Sequence, residues 1–308
     1  MWHRRSLKEV RMKSIVSYPE RGMGGNNHYR GNCSPRLIED LIKQFKVSEI
    51  CDYMAGSYTT QDVAGKIGII SHCYDLNHGF DLMNMDIPQR SEFTFWHPPY
   101  WNIVKYADGQ YSAKEIIQRY GFDPRENDLS RVQAWEDFVK MQNYCMMKQY
   151  AALECGGRIA VLMGDIKKKG KLYSQLCEIV KPGTIENIVI KAQHNCTSDR
   201  MNYAGKFIPI VHEYLLIIRK DMPLTINYLI TERQSVDIRD MQTSTWRDVL
   251  YEVLEEIGRA ASLTEIYEKI EGHKKAQRNP HWKEKVRQTL YLHSDFQKKD
   301  RGIWKLVS

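Results

Sequence analysis

The feature that most constrains this chain is an alternation of short apolar runs with helix-forming stretches. Buried-type strands are predicted at Glu49–Met54, Gly68–Leu76, Glu92–Trp96, Arg158–Met163, Ile185–Ala192 and His212–Arg219. Between them, Ser34 and Pro35 form a helix start, N-cap and first position, followed by Leu37, Ile38, Leu41, Ile42 and Phe45 at helical spacing. A further helix is expected after Thr60, a long one from about Leu129 to Glu154 that closes at Gly156-Gly157, and another from Lys171 to Val180. Residues 1–31 read as irregular. This order predicts an α/β fold: a doubly wound Rossmann-like sheet, parallel with one late antiparallel strand, covered on both faces. Ligands of such sheets sit beyond the carboxyl ends of the strands, so the residues just after each strand become the candidates.

At 308 residues the chain suits one mid-sized domain plus a small module. No apolar run approaches the roughly 18–20 residues that span a bilayer, and no apolar h-region follows the basic start. A soluble cytoplasmic protein without a membrane partner is expected. Seven scattered cysteines (Cys33, Cys51, Cys73, Cys145, Cys155, Cys177, Cys196) with no CxxC pair favour reduced thiols over disulfides or zinc. His72, His78, His194 and His212 lack metal-ligand spacing, so no metal site is expected. The formal charge of +7 permits an anionic partner such as nucleic acid. Arg4, Arg5, Lys8, Arg11, Lys13, Arg21 and Arg30 crowd the start of the chain.

The periodic pattern weakens after Asp221, which places a linker at 226–244 between a larger domain, 1–225, and a module, 245–308. That module reads as three helices (Trp246–Ile257, one opening at Leu263, and Trp282–Leu292) followed by a small hairpin around Phe296 and Gly302–Leu306. This is the winged-helix order. Lys274, Lys275, Arg278, Lys283 and Arg287 would put positive charge before and on its third helix, with Lys298, Lys299 and Arg301 on the wing.

Two post-strand segments carry chemistry. Asp52-Tyr53-Met54-Ala55-Gly56-Ser57-Tyr58-Thr59-Thr60 is a small-residue turn opening a helix, where a ligand can approach the backbone and meet helix N–H groups. His97-Pro98-Pro99-Tyr100 is rigid, lacks two N–H donors and presents carbonyl acceptors with an aromatic ring at its end. Such a ring can stack on an everted base.

Together these segments resemble the S-adenosylmethionine-dependent DNA amino-methyltransferases, whose cofactor loop reads D-P-x-x-G-S-G-T-T and whose catalytic loop reads D/N/S-P-P-Y/F/W. The resemblance spans most of residues 15–220. It includes Tyr29-Arg30-Gly31-Asn32-Cys33-Ser34-Pro35, Asp75 after the second strand and Met85-Asp86-Ile87-Pro88. The strands Gly157–Asp165 and His212–Lys220 also match, and the motif order is gamma-like.

The resemblance implies methyl transfer to N6 of adenine, ahead of N4 of cytosine. It implies that Arg30, Gly31, Asn32, Ser34, Asp52, Met54, Ala55, Gly56, Ser57, Thr59, Thr60, Asp75 and Asp86 hold S-adenosylmethionine. His97 and the Pro98 carbonyl would accept hydrogen bonds from the target amine, with Pro99 stiffening the loop and Tyr100 as stacking platform. Lys167, Lys168 and Lys169 would contact phosphates, while residues 102–128 and 193–210 would read the target. The final module resembles winged-helix domains appended to restriction and modification proteins. DNA is the implied partner, and there is room for a companion restriction endonuclease.

Three positions depart from the pattern. His97 stands for Asp, Asn or Ser and can accept only while neutral, which predicts loss of activity below pH about 6. Tyr58 stands where the family has Gly, and Tyr53 where it has Pro. A ring at position 58 either obstructs the cofactor or packs aside, and in the former case the chain is a non-catalytic DNA-binding protein. Methylation of RNA is the other enzymatic reading.

Overall fold

In the computed structural model, which describes residues 11–194 and 206–307, a seven-stranded sheet forms the centre of the larger unit. Its strands are β1 (Ile15–Ser17), β2 (Glu49–Asp52), β3 (Ile70–Cys73), β4 (Ser91–Trp96), β5 (Leu153–Met163), β9 (Thr184–Ala192) and β10 (His212–Arg219). They lie in the order β1-β9-β10-β5-β4-β2-β3. Neighbours run parallel except β10, which is antiparallel to both β5 and β9. The doubly wound Rossmann-like sheet with one late antiparallel strand is thus observed. β1, in a stretch that read as irregular, adds an edge strand to β9.

Both faces of the sheet are covered, and the side-chain alternation of the strands shows how. Ala160, Leu162, Leu215 and Ile217 pack with α1 (Pro35–Phe45) and α2 (Thr59–Ile67). Ile159, Val161, Met163, Leu216 and Ile218 pack on the other face with Phe138, Cys145 and Met146 of α4 (Trp135–Ala151). Between α2 and α4 in the sequence lies α3 (Ala113–Tyr120), capped by the Ser112 hydroxyl. The chain leaves β2 toward β3 on one side and crosses to β4 on the other. That reversal opens a crevice at the carboxyl ends of β2 and β4.

Several boundaries differ from the sequence expectation: the long helix stops at Ala151 rather than Glu154, and β5 already runs from Leu153 through Gly156 and Gly157 instead of starting at Arg158. The stretch expected as a helix from Lys171 to Val180 is a hairpin, β6 (Asp165–Lys168) against β7 (Lys171–Ser174), followed by one turn, α5 (Gln175–Glu178). Its two-residue turn is Lys169-Gly170, both at positive φ (51° and 74°), the backbone that matches strand twist in tight hairpins. The long helix begins at Trp135 rather than Leu129, because Asp128 caps a separate 3-10 turn at Leu129–Arg131. Finally, β3 is shorter than Gly68–Leu76, since Gly68 at φ 85° ends α2.

The contacts divide the chain into two compact units, Met1–Thr231 and Glu232–Ser308. The stretch expected as a linker therefore has structure at both ends. β11 (Tyr228–Leu229) pairs with β8 (Lys181–Pro182) in the first unit. In the second, Arg239 grips Asp237 and donates to the Lys269 carbonyl. The second unit holds α6 (Trp246–Ile257), β12 (Ala260–Ser262), α7 (Leu263–Ile270), α8 (Lys274–Gln277), α9 (Trp282–Leu292), β13 (Phe296–Asp300) and β14 (Ile303–Leu306). Capping boxes at Thr245/Asp248 and Ser262/Glu265 start two of the helices. Val249, Leu250, Val253, Ile266, Val286, Leu290 and Trp304 form its core over the antiparallel sheet β12-β14-β13. Among the described residues, no helix is long and apolar enough to cross a membrane.

Candidate functional site

β2 ends at Asp52, which is buried and accepts hydrogen bonds from the Met54 N–H (3.1 Å) and the Thr60 hydroxyl (2.6 Å). The chain then turns tightly. Gly56 lies at φ 53°, and a Cβ there would stand 3.0 Å from Cε1 of Tyr29. Its N–H donates to Asp75 Oδ2 at 2.7 Å, so the carboxylate after β3 holds the turn after β2.

Tyr58 occupies the left-handed region (φ 60°, ψ 30°) as N-cap of α2. That backbone costs a residue with a Cβ about 1–2 kcal/mol, which explains why glycine suits the position. The ring packs edge-on against His78, with centroids 4.7 Å apart, and it is not part of the cavity wall. It packs aside.

The second turn leaves β4 at His97. Gln175, fully buried, donates to the Pro99 carbonyl (2.9 Å) and accepts from the Gly164 N–H (3.1 Å), tying this loop to the end of β5. Gly164 is required there, because a Cβ would come within 2.7 Å of the Tyr100 ring. The Tyr100 hydroxyl donates to Glu213 Oε1 (2.6 Å) and lies 3.1 Å from His97 Nε2. Lys191 Nζ donates to the other Glu213 oxygen at 2.5 Å.

The two turns line one cavity of about 810 Å³, counting its open mouth. Met54, Ala55, Gly56, Ser57, Thr59 and Thr60 form one side, with Gly31 and Asn32 beside them, and His97 and Pro99 another. Tyr29, Tyr106 and Tyr111 close it, Tyr29 and Tyr106 with ring centroids 5.7 Å apart. Four buried carboxylates, Asp52, Asp75, Asp81 and Asp128, share the wall, which among the described residues has no lysine or arginine. Burial pushes Asp52 up to about 7. Asp75 is also raised by burial, against the pull of N–H donors from Asn77 and Gly56.

At the other end of the cavity, burial pulls His97 down to about 4. This corrects the expected loss of activity below pH about 6, since the imidazole here stays neutral through that range. Glu213 would be raised by burial alone, but Lys191 and the surrounding donors hold it below the ordinary carboxylate range. Burial and the Glu213 charge raise Tyr100 well above its ordinary value, so its proton stays on.

Several expected contacts lie elsewhere. Asp86 is exposed and outside the wall; the chain turns after Asp81, whose carbonyl accepts from the Met85 N–H, and this keeps Asp81 in the wall. Arg30 is exposed, and the Ser34 hydroxyl is spent on the Arg21 carbonyl. Pro98 and Tyr100 stand behind the wall. The cofactor-side and loop residues otherwise converge on the cavity.

Nothing in composition singled out Asp81, Asp128, Tyr106, Tyr111, Gln175, Lys191 or Glu213. Of these, Glu213 and Lys191 had a positional signal in recognised strands, and Tyr106, Tyr111 and Asp128 lay in the 102–128 stretch expected to read the target, which here lines the cavity instead.

The basic residues are unequal. Lys167 donates to the Ile208 carbonyl and lies over the Phe207 ring, while Lys168 lies 4.4 Å from the Trp101 ring. Lys169 is exposed at the hairpin tip. In the second unit, Lys275 is tied to the Ser244 carbonyl, Lys274 lies 3.9 Å from Asp240, Arg287 bonds Glu284 and Tyr267, and Lys283 covers Tyr267 and Trp282. Arg278, Lys298, Lys299 and Arg301 stand exposed. Arg4, Arg5, Lys8, Cys196 and positions 195–205 of the expected reading loop lie outside the described residues.

No family model matches the chain, and no curated protein matches it. Among solved structures it is similar to TrmN from Thermus thermophilus (13% identity, TM-score 0.31), over 62% of this chain and 50% of that one. It is also similar to TehB from Haemophilus influenzae (10%, 0.29; 60% and 62%) and to a methyltransferase from Pyrococcus furiosus (11%, 0.29; 64% and 88%). The chain thus spans half the length of TrmN and under two thirds of TehB.

Proposed function

We propose that this chain transfers a methyl group from S-adenosylmethionine to the exocyclic amine of a base in DNA, N6 of adenine ahead of N4 of cytosine. The observation that carries this reading is the convergence of the Asp52–Thr60 and His97–Tyr100 turns on one cavity whose charged wall is entirely acidic. A sulfonium ion with an α-ammonium group and a ribose diol fits such a wall: carboxylates favour the cation and accept from the hydroxyls. When bound, S-adenosylmethionine supplies an electrophilic methyl group.

The chain's own residues would do the rest. Asp75 would accept from the ribose hydroxyls while keeping its grip on the Gly56 N–H. The helix start at Thr59 and the close approach at Gly56 would seat the amino-acid end. His97, neutral and at the edge of the wall, would accept a hydrogen bond from the target amine. That contact localises the nitrogen lone pair as it attacks, and geometry with preorganised dipoles supplies the rate.

The second unit would add DNA affinity. With the short α8 set aside, α6, α7 and α9 followed by the β13–β14 hairpin resemble the winged-helix order, and Lys298, Lys299 and Arg301 would meet phosphates.

Expression in a methylation-free host, followed by base-resolved mapping of its genomic DNA, tests the proposal. N6-methyladenine or N4-methylcytosine in a recurring sequence context is expected. Unmodified DNA alongside methylated structured RNA would overturn the substrate, and no methyl transfer to either would overturn the activity.

A further inference from the structure

We propose that Glu213 and Lys191, acting through the Tyr100 hydroxyl, hold His97 in the tautomer whose proton sits on Nε2, leaving Nδ1 bare as a hydrogen-bond acceptor. The use of that acceptor by a target amine rests on the methyl-transfer reading above; the tautomer itself does not.

The argument follows donors and acceptors along one chain of contacts. Lys191 and Glu213 face each other across β9 and β10 as register partners. Their side chains are only 12% and 8% exposed and meet at 2.5 Å. An ammonium group can only donate and a carboxylate can only accept. Glu213 Oε2 therefore accepts from Lys191, and Oε1 accepts the proton of Tyr100 over 2.6 Å. A tyrosine hydroxyl has one proton, so the same oxygen can only accept from its remaining neighbour.

That neighbour is His97 Nε2, at 3.1 Å, and it must be the donor. A neutral imidazole carries one N–H, so Nδ1 is left with a free lone pair. Among the described residues, Nδ1 has no hydrogen-bond partner. Where the family places an Asp, Asn or Ser oxygen that accepts without a choice of tautomer, a histidine needs its polarity set from outside. A buried ion pair two contacts away does that. Gly164 makes the arrangement sterically feasible by admitting the Tyr100 ring. Glu213, Lys191 and Tyr100 are positioning residues.

Glu213→Gln reverses the logic. Its single carbonyl oxygen would go to the Lys191 ammonium, which has no other donor–acceptor match in the pair. The amide N–H would then face the Tyr100 oxygen and turn the hydroxyl proton toward His97 Nε2. The tautomer should invert.

The test is nitrogen-15 NMR of histidine-labelled full-length protein, with His97 assigned by its loss in His97→Asn. In the unsubstituted protein Nε2 is expected to carry the proton and Nδ1 to show the signature of a bare nitrogen. In Glu213→Gln the two signatures should exchange. Methyl transfer should fall roughly 100-fold in kcat, the scale of losing one preorganised polar contact, with cofactor Kd changed less than about threefold. Tyr100→Phe keeps the ring and removes only the hydroxyl, so the His97 preference for the Nε2 proton should be lost; an unchanged preference would overturn the inference.

A protonated Nδ1 in the unsubstituted protein overturns the inference even if neither Glu213→Gln nor Tyr100→Phe folds. So does Glu213→Gln with an unchanged tautomer. A bare Nδ1 in a protein that transfers no methyl group supports the tautomer and sinks only the proposed function.

Discussion

The two units place their charges in opposite ways. In the first, the decisive charges are carboxylates buried in the wall of a cavity, each held by backbone or hydroxyl donors: Asp52 by Met54 and Thr60, Asp75 by Gly56 and Asn77, Asp128 by Ala107 and Ser130. In the second, Lys298, Lys299 and Arg301 are cations standing in water on and beside the terminal hairpin. A buried, anchored charge selects a ligand by sign and geometry, because misplacing it leaves a desolvated group unpaired. A solvated cation attracts any polyanion and is screened by salt. On the proposed reading, one unit would discriminate a small cation and the other would hold on without reading sequence.

The sharpest way to break this contrast is Asp75→Ala. It removes the anchor of the Gly56 turn together with the proposed ribose contact. Loss of a charged hydrogen-bond acceptor on this scale, about 2–3 kcal/mol, should weaken S-adenosylmethionine binding roughly 30- to 150-fold by calorimetry. An affinity within a factor of three would remove the carboxylate wall from the binding account.

Next in size is neutralising the wing. Lys298→Gln, Lys299→Gln and Arg301→Gln together should lower the slope of log K against log salt for duplex DNA by about 2 to 3, with affinity near physiological salt down on the order of tenfold. An unchanged slope would assign the second unit a different partner.

The third test is pH. Asp52 is raised to about 7 by burial, and a cationic ligand favours its ionised form. Affinity should therefore rise as pH increases toward 8 and fall by at most about tenfold per unit below 7. Protons should be released on binding at pH 7, visible as a dependence of the binding enthalpy on buffer. S-adenosylhomocysteine, which lacks the sulfonium charge, should show a shallower dependence. His97, lowered to about 4, contributes nothing to this window. A profile flat from pH 6 to 8 would leave Asp52 outside the ligand's field.

The smallest expected effect is that of Tyr58→Gly. The substitution relieves the left-handed backbone but loses the packing on His78. Cofactor affinity should change less than about threefold, because the ring is not in the wall, and stability by no more than about 1–2 kcal/mol in a thermal melt. A large gain in affinity would mean the ring obstructs the site in solution.

Much of the molecule was legible before any coordinates. The strands β4, β9 and β10 and the helices α1, α6 and α9 fall close to where apolar runs and caps put them, since each is specified by residues within a few positions of itself. The Asp52–Thr60 turn and the His97–Tyr100 loop stood out for the same local reason, each following directly on a strand. The Lys171–Val180 segment misled because its apolar spacing suits a helix equally well. The decision lay in the Lys169-Gly170 turn, where two positive φ values fold a hairpin back on Asp165–Lys168.

Sequence alone determined the kind of sheet and the two loops that leave its switch point, because strand burial and loop chemistry are written in neighbouring residues. Tertiary structure alone decided which other groups meet them. Glu213 lies 113 positions from Tyr100 and Gln175 lies 76 from Pro99. Asp128 joins Asp52 in one wall only after the chain has wrapped around the sheet. Whether Tyr58 plugs the cavity or packs on His78, and whether His97 titrates near 6 or near 4, are matters of what surrounds a side chain, and only folding supplies those surroundings.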